Sequence, residues 1–234
     1  MANTIEILIN AKDAASSVIK SVSNSAQDLG QTLTSAGASL TAIGLPFLGV
    51  ATAAIKSYAD SETQLSQLES VLKSTGGAAG VTKQQALDLA AGLQKVTKFS
   101  DETVLASENM LLTFTNIGKD VFPQATKTVL DMSQALGQDT KTSAIQLGKA
   151  LNAPIEGTEA LAKVGVKFTQ AQKDMIKALT ESGNVAGAQA IILKELQTEF
   201  GGSAEAAGKT FAGQVVILKN RIDDLLEGIG EKLI

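Results

Sequence analysis

The sequence has no cysteine, no histidine and no tryptophan, and aromatic residues make up only 3% of its 234 positions. Each absence closes a branch of chemistry. Without cysteine there is no thiolate nucleophile, no disulfide and no zinc-thiolate site. Without histidine the chain lacks the side chain that most often moves protons near neutral pH. A metal would have to be held by carboxylates and carbonyls alone, and no alternating run of acids around a central glycine provides a calcium loop. The 20 basic and 24 acidic residues are interspersed, for a net charge of −4. No basic stretch is interleaved with aromatics, so nothing marks specific nucleic-acid binding. The opening residues, Met1 to Glu6, show no basic region leading into an apolar one and do not read as a secretory signal. No catalytic residue, metal ligand or cofactor is expected.

What the chain does have is hydrophobic content of 44%, supplied mostly by Ala, Leu, Ile and Val. Such side chains fill shallow helix–helix interfaces. With 21 Gly and only 3 Pro, helices are free to form but are punctuated often. The expected fold class is all-α, a multi-helix cluster with elongated N- and C-terminal helices.

Four segments stand apart. In residues 1–28, the alternation of Ile5, Ile7 and Ile9 predicts a short N-terminal strand, although the same spacing also opens a helix. A polar helix follows, with Val18, Ile19 and Val22 as a narrow stripe. Residues 29–56 carry no charge until Lys56. Their apolar centre approaches the mean hydropathy of a spanning helix of about 20 residues, with Leu40, Ile43, Leu45, Phe47, Leu48, Val50 and Ile55 as the membrane-capable side chains. Pro46 between Gly44 and Gly49 predicts a kink or a hairpin. A helix buried in protein, a membrane-capable segment and a flexible linker all fit this stretch.

Residues 57–202 read as consecutive helices. Tyr58, Leu65, Leu68 and Leu72 fall at helical spacing before Gly76-Gly77, and Ala86, Leu89, Leu93 and Val96 repeat the pattern. Ser100 is an N-cap followed by Asp101 and Glu102, which complement the helix dipole, and that helix is expected to end near Asn116-Ile117-Gly118. Pro123 opens the next helix and Gly137 closes it; Asp139 caps another, which runs to Asn152-Ala153-Pro154. Thr169 and Gln172 form a capping box, Asn184 caps the next helix, and Phe200-Gly201-Gly202 ends it.

In residues 203–234, Phe211, Val215, Leu218, Ile222, Leu225 and Ile229 alternate steps of four and three. This is a heptad seam, with β-branched residues at one core position and Leu or Phe at the other, the pattern of a parallel two-stranded coil. The expectation is an oligomer seam, with a helix packed on its own domain as the alternative. Gly76 to Lys83 superficially suggests a phosphate loop. It fails because no Gly directly precedes Lys83, Gln84 replaces the hydroxyl, and no buried strand leads in. The Asp101/Glu102 and Asp223/Asp224 pairs are adjacent on helices and point in different directions, so neither converges on a substrate.

One ordered series runs through the chain: Lys98-Phe99-Ser100-Asp101-Glu102-Thr103-Val104-Leu105-Ala106-Ser107-Glu108-Asn109-Met110-Leu111-Leu112, then Leu147 to Pro154, Leu161, Gly165 to Thr169, Gln172, Ala188 to Leu193, and Phe200-Gly201-Gly202. Together with the final Ile229-Gly230, it resembles the N-terminal region of the tape-measure proteins of long-tailed phages and prophages, over about three quarters of the chain. The resemblance implies a structural protein in the lumen of the virion tail tube, made in the host bacterial cytoplasm. It would template tube assembly, set tail length and aid DNA ejection. Implied partners are the tail tube protein, tail assembly chaperones, and tail tip or baseplate proteins. No catalytic residues come with the resemblance. The competing reading is a membrane-active, pore-forming helical protein built around residues 37–55.

Overall fold

The computed structural model describes residues 45–233. Among them are helices joined by short turns and no strand. In chain order the helices are α1 (Leu45–Ser74), α2 (Lys83–Gln94), α3 (Asp101–Leu111), α4 (Phe122–Leu136), α5 (Thr140–Asn152), α6 (Pro154–Ala162), α7 (Gln170–Glu181), α8 (Val185–Phe200), α9 (Ser203–Lys209) and α10 (Phe211–Leu233). The N-terminal strand expected at Ile5, Ile7 and Ile9, the helix after it, and Leu40 and Ile43 lie outside the described residues. From Leu45 the backbone is one uninterrupted helix, and Pro46 falls in its first turn, where a missing N–H forfeits no helical hydrogen bond.

Short side-chain bonds set most of the boundaries. The Ser100 hydroxyl accepts from the Thr103 N–H at 3.3 Å, the Asp139 carboxylate from Thr142 at 2.8 Å, and the Asn184 carbonyl from Gly187 at 3.0 Å. Thr169 and Gln172 make the expected reciprocal box. Thr82 and Gln85 make a second box at the start of α2, which the sequence reading passed over. Three boundaries differ from expectation. Helix α2 stops at Gln94, leaving Val96 exposed, and α3 ends at Leu111, well before Asn116. The third is α9, a short helix between Gly202 and the heptad helix.

The chain divides into two compact units, residues 59–222 and a second that joins the residues through Tyr58 to those from Asp223. In the first unit, α3 packs on α2, α4 and α5, while α8 packs on α4, α6 and α7. Helix α4 lies near the centre, burying Phe122, Ala125, Val129, Leu130 and Met132. Its neighbours add Val104, Leu105, Leu111, Leu147, Leu151, Ile192, Leu193 and Leu196 to one continuous core. The side chains are mostly aliphatic and small, as the composition requires. In the second unit, the Gly230 backbone of α10 lies against Ala54 and Tyr58 of α1.

Candidate functional site

The residues of the ordered series are joints of the fold. At the end of α8, Gly201 leaves no room for a side chain, since a Cβ there would sit 2.3 Å from the Gln197 carbonyl oxygen. Gly202 adopts a left-handed φ of 82°. The buried Asp131 carboxylate of α4 accepts from the Gly202 N–H at 3.1 Å and from the Ala204 N–H at 2.9 Å, so a side chain of one helix caps another. Beside it, Lys127 donates to Glu205 at 2.5 Å. That bond raises the Lys127 pKa and lowers that of Glu205. A cleft of about 340 Å³ opens here among Gln124, Lys127, Thr128, Asp131, Gly201 and Gly202. Its charged groups are engaged with one another and with backbone.

A second joint gathers the loop before α4, the end of α5, and α8. The side chain of the buried Gln189 donates to the carbonyls of Asn116, at 2.8 Å, and Leu151, at 2.9 Å. The side chain of Asn116 donates to the Asn152 carbonyl at 2.9 Å, and the Asn116 backbone N–H donates to the Asn152 side-chain oxygen at 3.3 Å. The Phe114 ring lies against Gly148 of α5, where a Cβ would come within 2.2 Å of the ring. Asn152, Gly148 and Gln189 all belong to the ordered series, and each holds the architecture.

The third joint is α3. The side chain of Asn109 donates to the Gln64 carbonyl of α1 at 3.1 Å. Its neighbour Glu108 is fully buried, and neither carboxyl oxygen has a hydrogen-bond partner among the described residues. Burial pushes this carboxyl from 4.5 up to about 9, so it is protonated at neutral pH. Composition offered no hint of this, since a glutamate in a helix ordinarily reads as a surface charge. Among the described residues no cluster of three or more acidic groups is placed to hold a metal ion.

The heptad positions of α10 divide evenly between exposed and half-buried. Phe211 is 82% exposed, Val215 50% and Leu225 41%, while Leu218, Ile222 and Ile229 are half-buried. The stripe that α10 turns inward is another one, made of Gly213, Ile217 and Asn220; Ile217 is 4% exposed, and the Asn220 side chain donates to the Lys98 carbonyl at 3.4 Å. Of the membrane-capable side chains, Val50 and Ile55 are exposed, and Leu45, Phe47 and Leu48 lie in the first turns of α1. No helix of the described residues is long and apolar enough to cross a membrane.

Comparison with known proteins places this helical cluster. No solved structure matches the chain. The tape measure protein of Pneumococcus phage Dp-1 is 27% identical over 199 residues, which is 79% of this chain and 17% of that protein. The chain therefore spans about a sixth of the length of the curated relative it matches. Residues 12–177, from before α1 into α7, match the family model described as prophage tail length tape measure protein, and since that is more than half of the sequence, the chain belongs to the family of prophage tail length tape-measure proteins.

Proposed function

We propose that this chain is a non-catalytic scaffold module of the phage tail, housed in the lumen of the tail tube, where it organises tube assembly and takes part in setting tail length. One observation carries the reading: the family match at residues 12–177 falls largely on the helical cluster, and the polar groups of that cluster are spent on joints between helices. The module presents helix surfaces to its partners, for which the tail tube protein, the tail tip or baseplate proteins and the assembly chaperones are the fitting classes. Helical chain extends by about 1.5 Å per residue, so a compact cluster contributes little reach and serves best as an anchor for a longer ruler. An in-frame deletion of residues 83–209 in the encoding phage or prophage tests this. Electron microscopy should show no tails, or tails of scattered length. Tails of normal number and uniform length would overturn the proposal.

A further inference from the structure

We infer that the cleft where α4, α8 and the Gly201-Gly202 turn meet is a docking site for an extended, uncharged segment of a partner protein, held by its main-chain peptide groups. One stripe of α4 builds the site. Gln124, Lys127, Thr128 and Asp131 follow one another at helical spacing and all line the cleft. A helix that only packed against its neighbours would carry apolar residues on such a stripe. The fold accounts for two of the four: Asp131 caps α9, and Lys127 pairs with Glu205. It does not account for the others. Thr128 is 5% exposed, yet its hydroxyl makes no hydrogen bond among the described residues. Other threonines of the unit bond to their own helix four residues back: Thr126 to the Phe122 carbonyl at 3.1 Å, Thr180 to Ile176 at 2.8 Å and Thr198 to Lys194 at 3.0 Å. A buried hydroxyl with no partner is costly, and this one borders an open cleft. The side-chain amides of Gln124, and of Gln197 across the cleft on α8, are likewise without a hydrogen-bond partner among the described residues.

The chemistry of the lining selects the occupant. Its three unengaged groups, two amides and a hydroxyl, each donate and accept, as a peptide group does. Lys127 and Asp131 are already bonded, so neither an anion nor a cation would meet a free countercharge. Among the described residues that line the cleft there is no aromatic ring, so a sugar would have no flat face to stack on. Leu196, fully buried, supplies an apolar wall. Gly201 and Gly202 leave their part of the rim without side chains, and an extended backbone can approach it closely. At about 340 Å³ the cleft falls at the small end of the range of ligand pockets. It has room for a few residues of extended chain and none for a folded surface.

The probe is tetra-alanine, acetylated and amidated so that it has peptide groups and no charge, titrated into the isotope-labelled full chain and followed by NMR. Saturable shifts should centre on the side-chain amides of Gln124 and Gln197 and on the backbone N–H of Thr128. Thr128→Val keeps the shape of the side chain and removes its hydroxyl; it should weaken binding about tenfold, the worth of one hydrogen bond. Gln197→Ala, at an exposed position that the fold does not depend on, should weaken binding to a similar degree. The same peptide with every backbone nitrogen methylated cannot donate and should bind more weakly than either variant binds the parent peptide. Glucose and sulfate at equal concentration should leave the cleft signals in place. Absence of saturable shifts, shifts scattered over the surface, or a methylated peptide that binds as well as its parent would overturn the inference. So would saturation of the cleft by glucose or sulfate in place of the peptide, or full affinity in both variants.

Discussion

The Gln189 joint and the site of Glu108 both lie in the core of the same compact unit, and they treat buried polar atoms in opposite ways. Around Gln189 the side-chain amide donates to two carbonyls, and Asn116 donates two bonds to Asn152, one from its backbone and one from its side chain. At Glu108 a carboxyl is taken out of water and has no hydrogen-bond partner among the described residues. A satisfied network contributes fixed geometry and responds little to its surroundings. An unsatisfied acid survives in the core only by keeping its proton, so its contribution to stability depends on pH.

The largest expected effect comes from removing that dependence. The sign follows from the two states. An unfolded glutamate releases its proton above about 4.5, whereas the folded one holds it up to about 9. The contribution of Glu108 is therefore fullest below pH 4.5 and declines as pH rises towards 9, by about 1.4 kcal/mol per pH unit. Glu108→Gln keeps the shape without the titration. It should leave stability near pH 4 almost unchanged and raise it by on the order of 4 kcal/mol at pH 8. Denaturant unfolding at the two pH values measures this; parallel profiles for parent and variant would show that Glu108 ionises in the folded protein.

Next in size, Gln189→Leu should strand the carbonyls of Asn116 and Leu151 and cost about 3 kcal/mol. The same loss is expected at pH 5 and pH 8, which sharpens the contrast with Glu108. A loss that changed with pH would merge the two regions into one network. The smallest effect is expected at Gly148→Ala, where the new methyl must displace the Phe114 ring at a cost of about 1–2 kcal/mol. Because the obstacle is a side chain, Phe114→Leu in the same protein should recover most of the loss. A double-mutant cycle on thermal melts reads that coupling.

Much of this fold can be read from local sequence. Ser100, Asp139, Thr169 and Asn184 were recognisable as caps because a capping bond is made within three residues. Gly201-Gly202 was recognisable as a break for a similar reason, but its partner was not. Asp131 caps α9 from about seventy positions away, and no local pattern reveals such a reach. Glu108 was invisible because burial is a property of the assembled helices. The heptad of α10 was legible as an alternation of residue types, but which side of the helix faces the protein depends on Gly213, Ile217 and Asn220. A stripe defined by smallness and one amide has no hydrophobic period to detect. Asn116, which reads as a helix terminator, lies beyond the end of α3 and serves as a hydrogen-bonding joint.

The shortness of the helices has a mechanical consequence. Helices α2 to α9 run from 7 to 16 residues. Peptides below about 12–15 residues barely hold a helix alone in water, so most of these persist only while clamped between neighbours. Tension applied along the chain would not draw out a string of surviving rods. Once a joint such as Asp131 on the Gly202 turn parts, the helices it held would lose their footing together and yield in one abrupt step. The unit of residues 59–222 would then pay out a contour of roughly 550 Å at about 3.4 Å per residue.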